Sequence, residues 1–190
     1  GKDRRYLVRL ETGGEFHTHA GILPHDAIIG ADEGALLRAN SGVSYRVIRP
    51  TLTDFVLKMK RGAQVIYPKD LGPLLLLADV FLRARILESG VGSGALSVTL
   101  LRAGAEIVGY QLREDFAARA QANVRDFLGE EAFSRYRVEL RDCYEGIDET
   151  DLDRIVLDLP EPWRVVPHAE KALHPGGILL SYTPSIVQVS

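Results

Sequence analysis

The feature that most restricts the fold is a regular alternation of short apolar segments and helical segments from about residue 65 onward. Apolar segments typical of buried strands occur at 85–88, 106–110, 136–140, 154–158 and 178–182. Helical segments lie between most of them, at 95–103, 115–128 and 167–173. This alternation is typical of a parallel sheet whose strands are joined by helices, so we predict a doubly wound, Rossmann-like α/β fold.

The first third of the chain has a different pattern. Short β-like segments, separated by glycine and asparagine turn signals, occur at 6–10, 27–29, 35–37 and 44–48. A short helix is predicted at 52–59. We therefore predict two domains, a small β-rich module over residues 1–64 and an α/β domain over residues 65–190.

Composition excludes several classes of protein. Apolar residues make up 46% of the chain and charged residues 26%, which suits a globular domain with a real core. No apolar run approaches the roughly 20 residues that a membrane helix needs, and residues 1–5 form no apolar signal segment. The single Cys143 can form neither an internal disulfide nor a zinc site alone. We expect a cytoplasmic protein that uses neither a membrane nor a metal.

Charge is distributed unevenly along the chain. The net charge is −3, yet residues 38–69 carry seven basic residues against one acidic residue. This asymmetry indicates an anionic partner on one part of the molecule. Scattered surface charge would give the same count, so charge alone does not decide between the two readings.

A glycine-rich loop joins the first strand to the first helix of the α/β domain. Residues 88–94 read Glu-Ser-Gly-Val-Gly-Ser-Gly. Glycines allow a tight turn and a close approach of the backbone to a ligand. The G-x-G-x-G spacing, with an acid two residues before it, differs from the G-x-G-x-x-G of dinucleotide binders. An ordinary strand-to-helix turn, or a nicotinamide site, remains the alternative.

The loop and the Leu-His-Pro-Gly-Gly turn at 173–177 resemble those of S-adenosylmethionine-dependent methyltransferases. This resemblance implies S-adenosylmethionine as the cofactor. The residues that it implies as cofactor-binding are Glu88, Gly90, Gly92, Ser93, Gly94, Gln111, Asp142 and Asp158. The sheet of this class commonly carries further strands after the fifth, so C-terminal strands are expected to be missing from this chain.

Two further motifs are specific, Tyr-Pro-Lys-Asp at 67–70 and Asp-Leu-x-x-Pro-Trp at 158–163. They resemble motifs of one family, the tRNA adenine-N1 methyltransferases that modify T-loop adenine 58. Other matching segments lie at 14–19, 24–26, 49–50, 59–62, 64–66, 87–96, 156–157 and 187–188. The resemblance implies a tRNA partner, a small N-terminal β module and a homotetramer. Gln111 departs from the family pattern, which has Glu there, and the segment between the first helix and the second strand is short.

The resemblance also implies roles in catalysis. Asp158 would face the adenine amine and stabilise the positive charge that develops as N1 is methylated. The Tyr67 ring would stack on a base extruded from its loop. Arg61 and Lys69 would contact RNA phosphates, and the N-terminal module would present basic residues to the RNA.

Three alternatives accompany this hypothesis. One is a catalytically silent tRNA-binding subunit on the same fold, which Gln111 keeps open, and another is a methyltransferase with a different substrate. A metal site at His17, His19 and His25 is the third. It is disfavoured because no acid or cysteine completes a familiar ligand spacing.

Overall fold

The computed structural model describes residues 4–62 and 64–183. The family-like segment at 187–188 therefore lies outside the described residues. The chain divides into two compact units, residues 1–58 and 59–190. The domain boundary suggested by the sequence, between residues 64 and 65, stays a prediction. No helix among the described residues is long and apolar enough to cross a membrane.

The first unit contains two antiparallel hairpins and two short helices. Strand β1 (Glu15–Thr18) pairs with β2 (Gly21–Pro24), and β3 (Leu36–Arg38) pairs with β4 (Ser44–Arg46). Helix α1 spans His25–Ile28 and α2 spans Leu52–Lys58.

Two strand predictions for this unit are wrong. Residues 6–10 have no regular structure, and 27–29 overlap α1. The apolar residues of both segments favour strands, but a strand forms only where a partner lies alongside it.

The second unit is a five-stranded parallel sheet with helices, as predicted. In chain order its elements are α3 (Pro68–Leu77), β5 (Arg85–Ser89), α4 (Ala95–Arg102), β6 (Glu106–Tyr110), α5 (Glu114–Phe133), β7 (Tyr136–Glu139), β8 (Leu152–Leu157), a 3₁₀ turn (Pro162–Val165), α6 (Val166–Ala172) and β9 (Leu173–Ser181). The strand order is β7-β6-β5-β8-β9.

The order of the strands determines where a ligand can bind. From β5 the chain proceeds outward to β6 and β7, then returns to β8 on the other side of β5. The loops that leave the carboxyl ends of β5 and β8 therefore diverge, and a crevice opens between them. Right-handed crossovers place α4 and α5 on one face of the sheet and α6 on the other. β5 and β8 are central and buried, so the crevice has a rigid floor.

The last strand differs in its start from the prediction. Residues 173–177 are not a turn before the strand, because β9 begins at Leu173, directly after α6. Leu173 pairs with Leu152 and Ile178 pairs with Arg154, so the proline and glycines between them form an irregularity within the strand. Prolines and glycines are tolerated in strands at such bulges.

Helix α3, which the sequence did not predict, is attached to the sheet at both ends. Arg154, only 5% exposed, donates from Nη2 to the carbonyl of Asp79 at 3.1 Å and from Nε to that of Ala78, just after the helix ends. At the other end, Tyr182 donates its hydroxyl hydrogen to Asp70 at 3.3 Å. These contacts place the first turn of α3 at the carboxyl edge of the sheet.

Candidate active site

The glycine-rich loop has a backbone that other residues would strain. Gly90, Gly92 and Gly94 have φ of 88°, 56° and 82°, all in the left-handed region. A Cβ at position 90 would lie 2.2 Å from the carbonyl oxygen of Asp158, whereas one at position 92 would meet nothing closer than 3.8 Å. The loop thus packs directly on the end of β8 and leaves open space in front of Gly92.

A cleft lies between this loop and the segment before α3. It is lined by Gln64, Val65, Ile66, Glu88, Gly90, Val91, Gly92, Ser93, Ala95, Leu96 and Asp158. Five of the eight residues predicted to bind a cofactor are therefore brought together around one space. Gly94 does not line the cleft. It is the N-cap residue of α4, and a Cβ there would lie 3.1 Å from Ala120.

Glu88 lies at the bottom of the cleft and is 1% exposed. Ser97 on α4 donates its hydroxyl hydrogen to Glu88 at 2.6 Å, and the Tyr136 hydroxyl lies 3.0 Å from that of Ser97. Burial raises the pKa of Glu88 to about 8, helped by the nearby charge of Asp158. The carboxyl group is therefore mainly neutral near pH 7.

We expect Glu88→Gln to change how stability depends on pH. Because folding raises the pKa of Glu88, the native state binds its proton more tightly, and stability falls as pH rises from about 4.5 to about 8. Each unit of raised pKa corresponds to about 1.4 kcal/mol. The glutamine variant should lose this decline. At pH 8 its free energy of unfolding should exceed that of the wild type by at least about 1.4 kcal/mol.

Urea unfolding from pH 5 to pH 8 measures this effect. Glu106→Gln, at the opposite end of the neighbouring strand, is a control that should keep the wild-type slope. If the free energy of unfolding depends on pH in the same way for the wild type and Glu88→Gln, the pKa of Glu88 is not raised by folding.

Asp158 directly follows β8 and faces the same cleft. Its backbone N–H donates to the carbonyl of Ser89 at 2.9 Å, which holds it beside the glycine loop. Burial raises the pKa of Asp158 to about 6, so its carboxylate is mainly ionised at pH 7. At neutral pH the carboxyl group of Glu88 is thus mainly protonated and that of Asp158 mainly ionised. Such a difference between two carboxyl groups of one cleft is common in active sites.

The loop after Asp158 is held by Tyr144. The backbone N–H of Glu161 donates to the Tyr144 hydroxyl at 3.1 Å, and the Arg164 guanidinium lies 4.3 Å from the Tyr144 ring centre. Trp163 is 56% exposed, so it is not part of the core. The loop is fixed in place while its tryptophan stays accessible.

A second group of side chains begins at the start of α3. Tyr67 precedes the helix and is 39% exposed. Lys69 forms an ion pair with Asp70 at 2.8 Å, and Asp70 also accepts the hydrogen bond from Tyr182. Burial raises the pKa of Tyr182, and the charges of Asp70 and Asp158 raise it further. Tyr182 therefore lies near both carboxylates.

Sequence reasoning did not single out Asp70 or Tyr182. Asp70 is the last residue of the Tyr-Pro-Lys-Asp motif, and Tyr182 follows the fifth strand at the carboxyl edge of the sheet. Both positions could have identified these residues from the sequence, since polar residues at strand ends and in motifs often belong to functional sites.

The remaining predicted residues lie outside the cleft lining. The side-chain oxygen of Gln111 accepts a hydrogen bond from the Leu112 N–H at 3.0 Å, and Asp142 accepts one from the Tyr144 N–H at 2.8 Å. Gln111 follows β6 and Asp142 follows β7, at the carboxyl edge of the sheet. Arg61 is exposed and precedes Gly62. The roles of these residues stay predictions.

The histidines singled out in the sequence contact other groups. His17 lies 3.0 Å from Glu15, His19 contacts Arg4, and His25 accepts a hydrogen bond from the Glu11 N–H at 3.0 Å. Within residues 4–62 and 64–183, no group of three or more metal-ligating side chains is placed to hold an ion.

Comparison with known proteins adds to this geometry. Residues 44–190 match the family model described as tRNA methyltransferase complex GCD14 subunit, and residues 1–37 match the TrmI-like N-terminal model. A tRNA (adenine(58)-N(1))-methyltransferase TrmI from Thermus thermophilus is 39% identical over 191 residues, covering 99% of this chain and 74% of the relative. The chain belongs to this family of tRNA methyltransferases.

Solved structures of relatives agree with this membership. A Thermotoga maritima protein described as a SAM-dependent O-methyltransferase is 34% identical, with a TM-score of 0.88 over 99% of this chain and 71% of its own. The Aquifex aeolicus tRNA (m1A58) methyltransferase TrmI is 27% identical, with a TM-score of 0.81 over 98% of this chain and 73% of its own. The fold class, the family and the methyltransferase class predicted from the sequence are confirmed.

Proposed function

We propose that this protein transfers a methyl group from S-adenosylmethionine to N1 of adenine 58 in the T-loop of tRNA. The observation that carries the proposal is the meeting of the glycine loop and the ionised Asp158 in one cleft. The Thermus and Aquifex relatives are named for this reaction. The sequence similarity extends over nearly the whole chain, so the same substrate is the simplest assignment.

The residues of the cleft fit the cofactor. Left-handed glycines expose their backbone, and the space in front of Gly92 is open, as a ligand in close contact requires. Gln111 would contact the ribose hydroxyls and Asp142 the adenine amine of the cofactor. When bound, S-adenosylmethionine supplies an electrophilic methyl group on a sulfonium.

Asp158 performs the electrostatic part of the reaction. Adenine N1 carries an available lone pair, so no base is needed to create the nucleophile. Positive charge develops on the ring as N1 is alkylated, and a fixed carboxylate beside the exocyclic amine stabilises that charge more in the transition state than in the ground state. Asp158 accepts a hydrogen bond from the amine and takes up its proton if the product leaves in the imino form.

Tyr67 and nearby basic residues contact the RNA. The exposed Tyr67 ring stacks on the extruded adenine. Arg61 and Lys69 contact phosphates, and the basic residues of the segment 38–69 strengthen this attraction. Lys69 is held by Asp70 in the absence of RNA, so phosphate contact exchanges one partner for another.

The oligomeric state and the location complete the proposal. We expect a homotetramer that acts in the cytoplasm, where tRNA is available. Light scattering on the eluting protein tests the first point, because a tetramer has four times the chain mass of 21.0 kDa.

Incubation with unmodified tRNA and methyl-labelled S-adenosylmethionine tests the reaction. Nucleoside analysis should find 1-methyladenosine, and tRNA whose position 58 is not adenine should stay unlabelled. Label in another nucleoside would favour a methyltransferase with a different substrate. Tight tRNA binding with no heat on titration of millimolar cofactor would favour a silent tRNA-binding subunit.

We expect Gln111→Glu to tighten cofactor binding by about fivefold to tenfold. A carboxylate accepts stronger hydrogen bonds from hydroxyl groups than an amide does. One carboxylate oxygen would keep the contact with the Leu112 N–H and leave the other for the ribose. Calorimetry with S-adenosylhomocysteine measures the change, and Gln121→Glu on α5 adds the same charge elsewhere as a control. Equal affinities would show that residue 111 does not face the ribose.

A further inference from the structure

The two walls of the cleft belong to distant parts of the sequence. One wall is the segment 64–66 and the other is the glycine loop, with α3 and β5 between them along the chain. A loop and an irregular segment of this kind have many conformations of similar free energy unless side chains join them. The contacts that hold the walls together therefore decide how much of the protein is ready to bind.

One buried amide joins the segment before α3 to the glycine loop. Asn123, on α5, is 4% exposed. Its Nδ2 group donates one hydrogen to the carbonyl of Lys60 at 3.0 Å and the other to the carbonyl of Ser93 at 2.9 Å. Both donor positions of this amide are used: one hydrogen goes to the glycine loop and the other to the residues that precede the wall at 64–66.

A second contact joins the same two segments. The backbone N–H of Gly62 donates to the Ser93 hydroxyl at 3.1 Å, and Ser93 is 2% exposed. Ser93 thus accepts from α5 through its carbonyl and from the preceding segment through its side chain. The bond to its carbonyl also fixes the peptide that leads into Gly94, whose φ is 82°.

We propose that Asn123 is a positioning residue for cofactor binding, which holds residues 60–62 against the glycine loop before the cofactor arrives. This inference rests on the proposed function, since it takes S-adenosylmethionine as the ligand of the cleft. Asn123 does not line the cleft and acts only through the two carbonyls. Where a binding-ready state is only partly populated, the apparent Kd rises by the inverse of its population.

The chemistry of the site favours asparagine over other residues. Two carbonyl oxygens converge on the group and both need a donor, which an uncharged NH₂ group supplies in a single buried position. Aspartate has the same shape but offers only acceptors, so it would repel both carbonyls. Alanine would leave both carbonyls without this donor.

Calorimetric titration of the full chain with S-adenosylhomocysteine tests the proposal. Asn123→Ala should raise Kd by about tenfold or more, since two buried hydrogen bonds are lost and a tenfold change corresponds to about the net contribution of one of them. Asn123→Asp should bind more weakly still. In tRNA assays, KM for the cofactor should rise while kcat at saturating cofactor changes little.

The neighbouring residue provides a matched control. Val124 lies on the same helix and is fully buried, but makes no contact of this kind. Val124→Ala should lower stability, as loss of buried methyl groups does, and leave Kd as in the wild type. An Asn123→Ala protein that binds as tightly as the wild type overturns the inference. Equal weakening by both variants overturns it too, because general destabilisation would then explain the effect.

Hydrogen exchange on the wild-type protein gives a second test that needs no variant. Adding S-adenosylhomocysteine should slow exchange in segment 60–66 together with the glycine loop. Protection of the glycine loop alone would contradict the coupling. A wild-type protein that does not bind at all would contradict the proposed function and this inference with it, whereas equal Kd values for the wild type and Asn123→Ala contradict the inference alone.

Discussion

Asp158→Ala is expected to lower kcat for tRNA methylation by at least about a hundredfold, the scale of one lost electrostatic group in an active site. The carboxylate faces the cleft beside the glycine loop and is mainly ionised at neutral pH. Cofactor affinity should change little, because the backbone of the glycine loop, and not the Asp158 side chain, makes most of the contacts with the cofactor. The kcat of Asp158→Asn should lie between those of the wild type and Asp158→Ala, since asparagine keeps a hydrogen-bond acceptor but lacks the negative charge.

The pH profile adds a second measurement for Asp158. Burial raises its pKa to about 6, and the proposed mechanism uses the ionised form. Wild-type kcat/KM, which reports the ligand-free enzyme, should therefore rise with pH through about 6 and then level off, and this rise should be absent in Asp158→Asn. Asp153→Asn, at the opposite end of β8, is a control that should keep both rate and profile. Unchanged turnover in Asp158→Ala would remove this residue from the mechanism.

Gly90→Ala is expected to abolish cofactor binding and to destabilise the fold by about 2–5 kcal/mol. A Cβ at this position would lie 2.2 Å from the carbonyl oxygen of Asp158, and the φ of 88° is itself unfavourable for alanine. Strain of this type costs about 1–2 kcal/mol, and overpacking adds about 1–3 kcal/mol. The loop must move away from β8 to relieve the contact, which alters the cleft. Calorimetry and urea unfolding measure the two effects.

Gly176 provides a control for the strain alone. It has the same φ of 88°, but a Cβ there would meet nothing within 4 Å. Gly176→Ala should therefore cost only the backbone term, about 1–2 kcal/mol, and leave cofactor affinity intact. Equal stability losses for the two variants, with normal cofactor binding by Gly90→Ala, would show that the loop does not pack on the end of β8.

The elements that sequence reasoning found and missed differ in where their stabilising contacts come from. Each of the five strands of the parallel sheet contains apolar residues of its own, so local composition revealed them. Helix α3 was missed because Gly72 and Pro73 disfavour helix within the segment itself. Its last turn is held by Arg154, far away in the sequence. Distant contacts of this kind leave no local pattern.

The predicted site residues divide in the same way. The glycine loop was recognisable because the absence of a side chain is a property of each residue alone. Asp70 and Tyr182 were not singled out, since their hydrogen bond joins residues more than a hundred positions apart. The sequence placed Gln111 and Asp142 at the carboxyl edge of the sheet. It did not reveal that their side chains accept hydrogen bonds from backbone N–H groups one and two residues further on.

The sequence by itself determined the fold class, the family and the glycine loop. These depend on the periodicity of apolar residues and on short motifs, which are encoded locally. Only the tertiary structure decided the charge states of the two carboxyl groups. Burial raises the pKa of Glu88 to about 8, helped by the charge of Asp158, and the shallower burial of Asp158 raises its pKa only to about 6. Desolvation depends on everything packed around a group, so residue type alone cannot determine it.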